Sequence, residues 1–170
     1  MNQILIAIVG LCLTGVIGMF VLSFTASRPT NLGVNSEGRL ADVPSSPNCV
    51  STQTADQSHW IAPLEFSGPP NDALARLLEV IANMPGSKVI SRDKHYVYVE
   101  FTSTFFRFVD DVEFLMEPET NQIHFRSASR VGHSDLGANR KRMETIRTAF
   151  QASNSKTDNF GEQAAPSETL

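Results

Sequence analysis

From Ile4 to Phe24 the chain reads ILIAIVGLCLTGVIGMFVLSF, 21 residues without one charge. As a helix rising about 1.5 Å per residue, a run of that length crosses the roughly 30 Å hydrocarbon core of a bilayer. It predicts a single transmembrane helix over 4–24, so whatever folds in water must come after it. A cleaved signal peptide is the competing reading, because Ser23 to Ala26 supply small residues at a plausible cleavage position. Against it, no Lys or Arg precedes the run, which also exceeds the about 7–15 apolar residues of such a peptide. Cys12 follows Leu11, a bulky residue where a lipidation site needs a small one. Gly10, Thr14 and Gly18 recur at every fourth position, the spacing that lets two membrane helices pack closely and so offers a homodimer face. Orientation rests on two opposed signals. Arg28 and Arg39 follow the run and favour a cytoplasmic domain, whereas a short uncharged N-terminus before an export-like segment favours a periplasmic or other extracytoplasmic one. The expectation here is the latter.

Residues 25–43 are polar and turn-rich with no apolar periodicity, which reads as a flexible stalk. Residues 152–170 have the same character and read as a disordered tail. One domain is left over 44–151, an ordinary size for a single core. In the whole chain 14 Lys+Arg stand against 18 Asp+Glu, so no basic surface for nucleic acid is implied. Two cysteines, one inside the apolar run, are too few for a disulfide framework or a structural four-cysteine zinc site.

Within 44–151, Asn71 or Asp72 can cap a helix whose Leu74, Leu77, Leu78, Ile81 and Met84 recur at spacings of three and four before Pro85-Gly86. Strands follow at KVIS (88–91) and HYVYVEFT (95–102), the second alternating Val97, Val99 and Phe101 with Tyr96, Tyr98 and Glu100. DVEFLME (111–117) and QIHFRSA (122–128) flank a Pro-Glu-Thr-Asn turn and test each other. Pairing Glu117 with Gln122 sets Met116 against Ile123, Phe114 against Phe125 and Glu113 against Arg126, giving one apolar face and opposite charges on the other. A second helix starts between Ser134 and Asn139 and runs to about Gln151, turning Met143, Ile146, Ala149 and Phe150 inward. Phe105, Phe106 and Phe108 read as further core. The predicted class is α+β: a four-stranded, mainly antiparallel sheet with two amphipathic helices packed on one face, preceded by the transmembrane helix.

Three blocks, SSPNCVS (45–51), FVDDVEF (108–114) and RSASRVGHSDLGANRKR (126–142), resemble the DUF1499 family of bacterial and plastid proteins in order and wording. The resemblance covers roughly residues 44–150. It implies a family fold and a membrane or exported setting, and no activity. In one place the chain departs from what the resemblance implies, a second cysteine before the SSPNC block: Val43 stands there, so Cys49 has no nearby thiol partner.

The densest chemical signal is the third block with the residues that follow it to 147, where Arg126, Arg130, Arg140, Lys141, Arg142 and Arg147 are opposed within the segment only by Asp135 and Glu144. Three consecutive cations at a helix start are unfavourable against its dipole, so something must compensate. An anionic ligand held by the Gly132–Gly137 amides is one answer, with Arg126, Arg130, Arg140 and Arg142 as donors and Ser127, Ser129 and Ser134 adding hydroxyls. A structural polar network is the other: Asp110, Asp111 and Glu113 pair with the arginines, and Asp135 and Asn139 belong to the same network. Neighbouring carboxylates also invite a metal, but strand alternation sends Asp110 to the face opposite Asp111 and Glu113, so no metal is expected. Cys49 would need His59, His95, His124 or His133 as a base to act as a nucleophile, and spacing places none of them beside it; a small buried hydrophobe is the expectation. His124 reads as a surface residue on the face of Arg126. No P-loop, dinucleotide glycine pattern, zinc-ligand spacing or Gly-x-Ser-x-Gly elbow is present, so no cofactor is expected. The sequence thus predicts a non-catalytic, membrane-anchored envelope domain that binds an anionic small molecule, lipid headgroup or protein partner through 126–142. The alternative is an envelope enzyme using Cys49 or the Asp110-Asp111 pair.

Overall fold

The computed structural model describes residues 2–162, with side chains to residue 154. The apolar run forms one helix, α1 (Asn2–Thr25), long and apolar enough to cross a membrane. Thr14 Oγ1 donates to the Gly10 and Leu11 carbonyls of its own helix, and open space surrounds Gly10 and Gly18.

Beyond it come β1 (Cys49–Ser51), β2 (Leu64–Glu65), α2 (Pro70–Ala82), β3 (Ser87–Arg92), β4 (Tyr96–Thr102), β5 (Val109–Glu117), β6 (Gln122–Ser129) and α3 (Ala138–Glu162). The class is α+β, with every strand pairing antiparallel in the order β1-β6-β5-β4-β3; β2 joins the free edge of β6 beyond β1. Six strands stand where four are expected, because segments of three and two residues are too short to show alternation. The β5–β6 register is the predicted one: Glu117↔Gln122, Met116↔Ile123, Phe114↔Phe125 and Glu113↔Arg126.

α2 and α3 cover the face built from Val97, Val99, Val112, Phe114, Ile123 and Phe125. From α2 come Ala73, Leu77 and Ile81, fully buried, with Leu74, Leu78 and, just past the helix end, Met84 half-buried beside them. Neither Asn71 nor Asp72 caps α2. Pro69 occupies that position and Pro70, whose ring presets a helical φ, opens the helix without a side-chain cap. Gly86 closes the following turn at φ 76, where a Cβ would lie 2.3 Å from the Thr102 carbonyl oxygen. From α3, Met143, Ile146 and Phe150 enter the core while Ala149 stays exposed, one step round the helix from the buried stripe. α3 also continues past Gln151 to Glu162, so the stretch expected as tail begins as helix, and the rest of it lies outside the described residues.

The opposite face carries Tyr96, Tyr98, Glu100, Asp111, Glu113 and Arg126, and the segment expected as a stalk is tied to it. Gly33 donates its amide to Glu113 Oε1 at 2.6 Å, Arg28 pairs with Glu100, the Asp42 carbonyl accepts from Arg126 Nε, and Leu40 is buried. The polar composition of 25–43 reads as solvent-loving, yet its backbone groups and Arg28 find partners on a sheet face that is itself charged.

Candidate functional site

β5 and β6 organise the predicted site residues into two polar clusters on opposite faces of the sheet. On the outer face, Arg130 reaches Asp111 through Nε and Nη2, at 2.9 Å and 2.7 Å, and also pairs with Glu100 and the Tyr98 hydroxyl. Burial pushes the Glu100 carboxyl up, but hydrogen bonds from Arg28, Arg130 and Tyr98 outweigh it and leave the pKa at about 2. Arg130's own bonds, to Asp111 first and then to Glu100, raise it further above its already high value. One rung along, Glu113 is fully buried and accepts from the Gly33 amide and the Tyr96 hydroxyl, with Arg126 Nη1 3.7 Å from an Oε2 that has no hydrogen bond. Burial outweighs these partners and raises the Glu113 pKa.

On the helix-covered face, Asp110 pairs with Arg142, whose guanidinium lies 4.8 Å over the Phe101 ring and also donates to Asn139 Oδ1. Asn139 in turn accepts from Ser127 and donates to Ser129 Oγ and the Asn48 carbonyl. Asn48 holds the loop after β6 through a 2.6 Å bond to the Gly132 carbonyl. Sequence reasoning passed over Asn48, whose only signal was its place in the SSPNC block.

The compensation that α3 needs is internal. Asp135 accepts from the Gly137 and Asn139 amides at 3.0 Å and 2.8 Å, putting a carboxylate where an anionic ligand would sit. Arg140 turns away to the carbonyls of Ser58 and Trp60, Arg147 to those of Ala62 and Pro63. Each expected anion donor, Arg126, Arg130, Arg140 and Arg142, therefore already has an acceptor within the fold. Ser129 belongs to the inner cluster; Ser134 is exposed and its Oγ accepts the Leu136 amide.

The Cys49 thiol is buried, and that burial pushes it up to about 11. His59 is beside it but turns Nδ1 to the Cys49 carbonyl at 2.8 Å, and the thiol itself faces the Val50 carbonyl at 3.7 Å, so among the described residues no histidine hydrogen-bonds the sulfur. His124 binds Thr52 and Glu117, and His133 is exposed. Among the described residues no group of three or more His, Cys, Asp or Glu is placed to hold a metal ion.

Where the end of α1 meets the domain there is a cavity of about 350 Å³, lined by Met19 and Leu22 of α1, Ser103 and Phe108 of the β4–β5 loop, and Val131 and Ser134 of the β6–α3 loop. That volume is at the low end of the roughly 300–1,000 Å³ of small-molecule sites. A larger hollow of about 490 Å³, between α2 and α3, is lined by Arg76, Val80, Met84 and Ala149 and touches none of the predicted site residues.

The family profile described as a protein of unknown function (DUF1499) matches residues 39–150. The chain belongs to that family. The DUF1499 region begins before the expected boundary at residue 44, taking in Leu40, which the structure buries. No curated protein and no solved structure gives a significant match.

Proposed function

We propose that this DUF1499 chain is a single-pass membrane protein whose domain, on the extracytoplasmic side, binds a membrane lipid without catalysis. One observation carries the reading: the β6–α3 loop, the part of the arginine-rich segment that faces outward, shares a cavity with the end of the apolar helix. In a bilayer that cavity opens at the lipid–water boundary. Its walls suit an amphipathic ligand, since Met19, Leu22, Phe108 and Val131 are apolar, while Ser103 and Ser134 bring hydroxyls and Asp110 and Asp135 carboxylates for a headgroup that carries hydrogen-bond donors. The arginines serve this reading from behind: their ion pairs hold the loop in shape rather than meeting the ligand, and a protonated, buried Cys49 fits a binding role.

The test uses the full chain purified from membranes in mild detergent. Native mass spectrometry is expected to show the chain with residues 1–24 retained and lipid bound. Val131→Trp, which fills the cavity, should lower the lipid-bound fraction about tenfold while the melting temperature stays close to that of the wild type. A chain lacking its N-terminal segment, or equal lipid on both chains, overturns the proposal.

A further inference from the structure

The β4–β5 loop, Ser103–Phe108, carries the sequence STFFRF, and its base is locked. Ser103 donates its amide to the Phe108 carbonyl at 2.8 Å, and its Oγ accepts the Phe108 amide at 2.9 Å. This closure, with Arg107 at φ 60, holds the tip out from the sheet, so Phe105 is 84% exposed. The neighbouring β6–α3 loop does the same with Leu136, which is 96% exposed at φ 53 while Ser134 and Asp135 bind the amides on either side of its Cα. Both loops line the cavity at the end of α1. Phe105 and Leu136 thus stand outward on the two loops that line this cavity, where an apolar partner would cover both.

The position of α1 identifies that partner. Phe106 packs on Phe20 in a tilted pair with ring centroids 5.6 Å apart. Phe20 lies five residues before Thr25, where α1 ends, so at about 1.5 Å per residue the loop hangs about 7–8 Å below the helix end. A helix of 24 residues is about 36 Å long, about 6 Å more than the hydrocarbon core, which puts the level of Phe106 at the boundary between headgroups and acyl chains. Interfacial segments bury to a depth of about 5–10 Å, with aromatic groups inward and cations at the phosphates. The cations are there: Arg107 is exposed with no ion pair among the described residues, and exposed Lys141 lines a groove with Ser103 and Thr104.

We infer that the β4–β5 loop, with Leu136, inserts into the leaflet of the same bilayer that α1 spans, Phe105 and Phe106 at acyl depth and Arg107 and Lys141 on lipid phosphates. The inference rests on α1 spanning the membrane and is independent of whether the cavity holds a lipid. Its occupant is the phospholipid surface itself, not a second protein.

The experiment places a single tryptophan in the full chain, in a Trp60→Phe background, in nanodiscs of phosphatidylcholine and phosphatidylglycerol. Phe105→Trp reports the loop, Glu119→Trp the turn at the far end of the sheet, and Leu13→Trp the middle of α1. With phosphatidylcholine brominated high on the acyl chain, the Phe105→Trp chain should lose about half its emission and resist aqueous iodide, while the Glu119→Trp chain is quenched by iodide alone. Iodide quenching of the Phe105→Trp chain equal to that of Glu119→Trp overturns the inference. So does protection from iodide without bromine quenching, which would mean that protein covers the loop. If the Leu13→Trp chain escapes deep-chain bromines, the spanning reading fails with it; if that chain is quenched and Phe105→Trp is not, only the insertion fails.

Discussion

The two faces of the DUF1499 sheet are closed by opposite chemistry. On one, α2 and α3 lay apolar side chains on Phe114, Phe125, Val99 and Ile123; on the other, an irregular segment lies over a ladder of carboxylates, arginines and tyrosines. The helix-covered face gains mainly from removing apolar surface from water, with the Asp110–Arg142 pair as its charged part. The charged face stands because each buried carboxylate has partners, and removing one partner leaves the other charge desolvated. A fold can therefore hide both sides of a sheet while spending its hydrophobic residues on only one of them.

The largest effect should separate the faces by rescue rather than by size. Phe125→Ala and Arg130→Ala are each expected to lower unfolding stability by about 3–5 kcal/mol in urea melts. Combining Asp111→Leu with Arg130→Met should recover much of the Arg130→Ala loss, because it removes the buried carboxylate together with its partner and leaves Glu100 to Arg28. Failure of the double substitution to recover would mean that the ladder is needed as charge, beyond its mutual pairing. No second substitution on the sheet should rescue Phe125→Ala.

Acid should distinguish the faces next. The fold holds Glu100 at about 2, below its ordinary 4.5, so its contribution is present above about pH 4.5 and disappears as pH falls towards about 2. Glu113 acts in the opposite sense, since a raised carboxyl opposes folding once it ionises and relaxes when protonated. The difference in melting temperature between wild type and Glu100→Gln is expected to be largest above pH 4.5 and to close towards pH 2, measured by circular dichroism. A gap that persists unchanged at the acid end would remove the pairing of Glu100 from the account.

The smallest effect belongs to Arg28, whose side chain is 51% exposed in its pair with Glu100. Arg28→Ala should lower the melting temperature only slightly, and less in high salt. A larger loss would show that the covering segment, and not only the ladder beneath it, stabilises the charged face.

The same contrast explains what could be read in advance. Hydrophobic period gave the helices and the four long strands, and cross-strand charge and apolar matching gave the β5–β6 register residue by residue. A polar alternation such as Tyr96, Tyr98, Glu100 looks like a solvent face, so neither the burial of Glu113 nor the docking of Gly33 onto it was visible. On β5, which carries carboxylate acceptors for the arginine-rich segment, the separation of Asp110 from Asp111 and Glu113 followed from strand alternation. Apart from Arg126 and Glu113, which the register set opposite each other, which arginine met which acceptor did not, since Arg140 and Arg147 choose backbone carbonyls that any sequence would offer. Phe105 misled most: three phenylalanines in four positions read as core, yet the locked base of the loop holds Phe105 outward and leaves Phe106 and Phe108 only half-buried.

The docked segment between α1 and β1 has a mechanical consequence. Left as free coil, the chain from residue 26 to 48 would spread its ends over about 25 Å and let the domain swivel through a wide arc. Fastened through Arg28, Gly33, Arg39 and Leu40, it becomes a short rigid bracket. The domain then keeps one height and one bearing relative to its helix, and any molecule it meets must be delivered to that fixed address by its own diffusion.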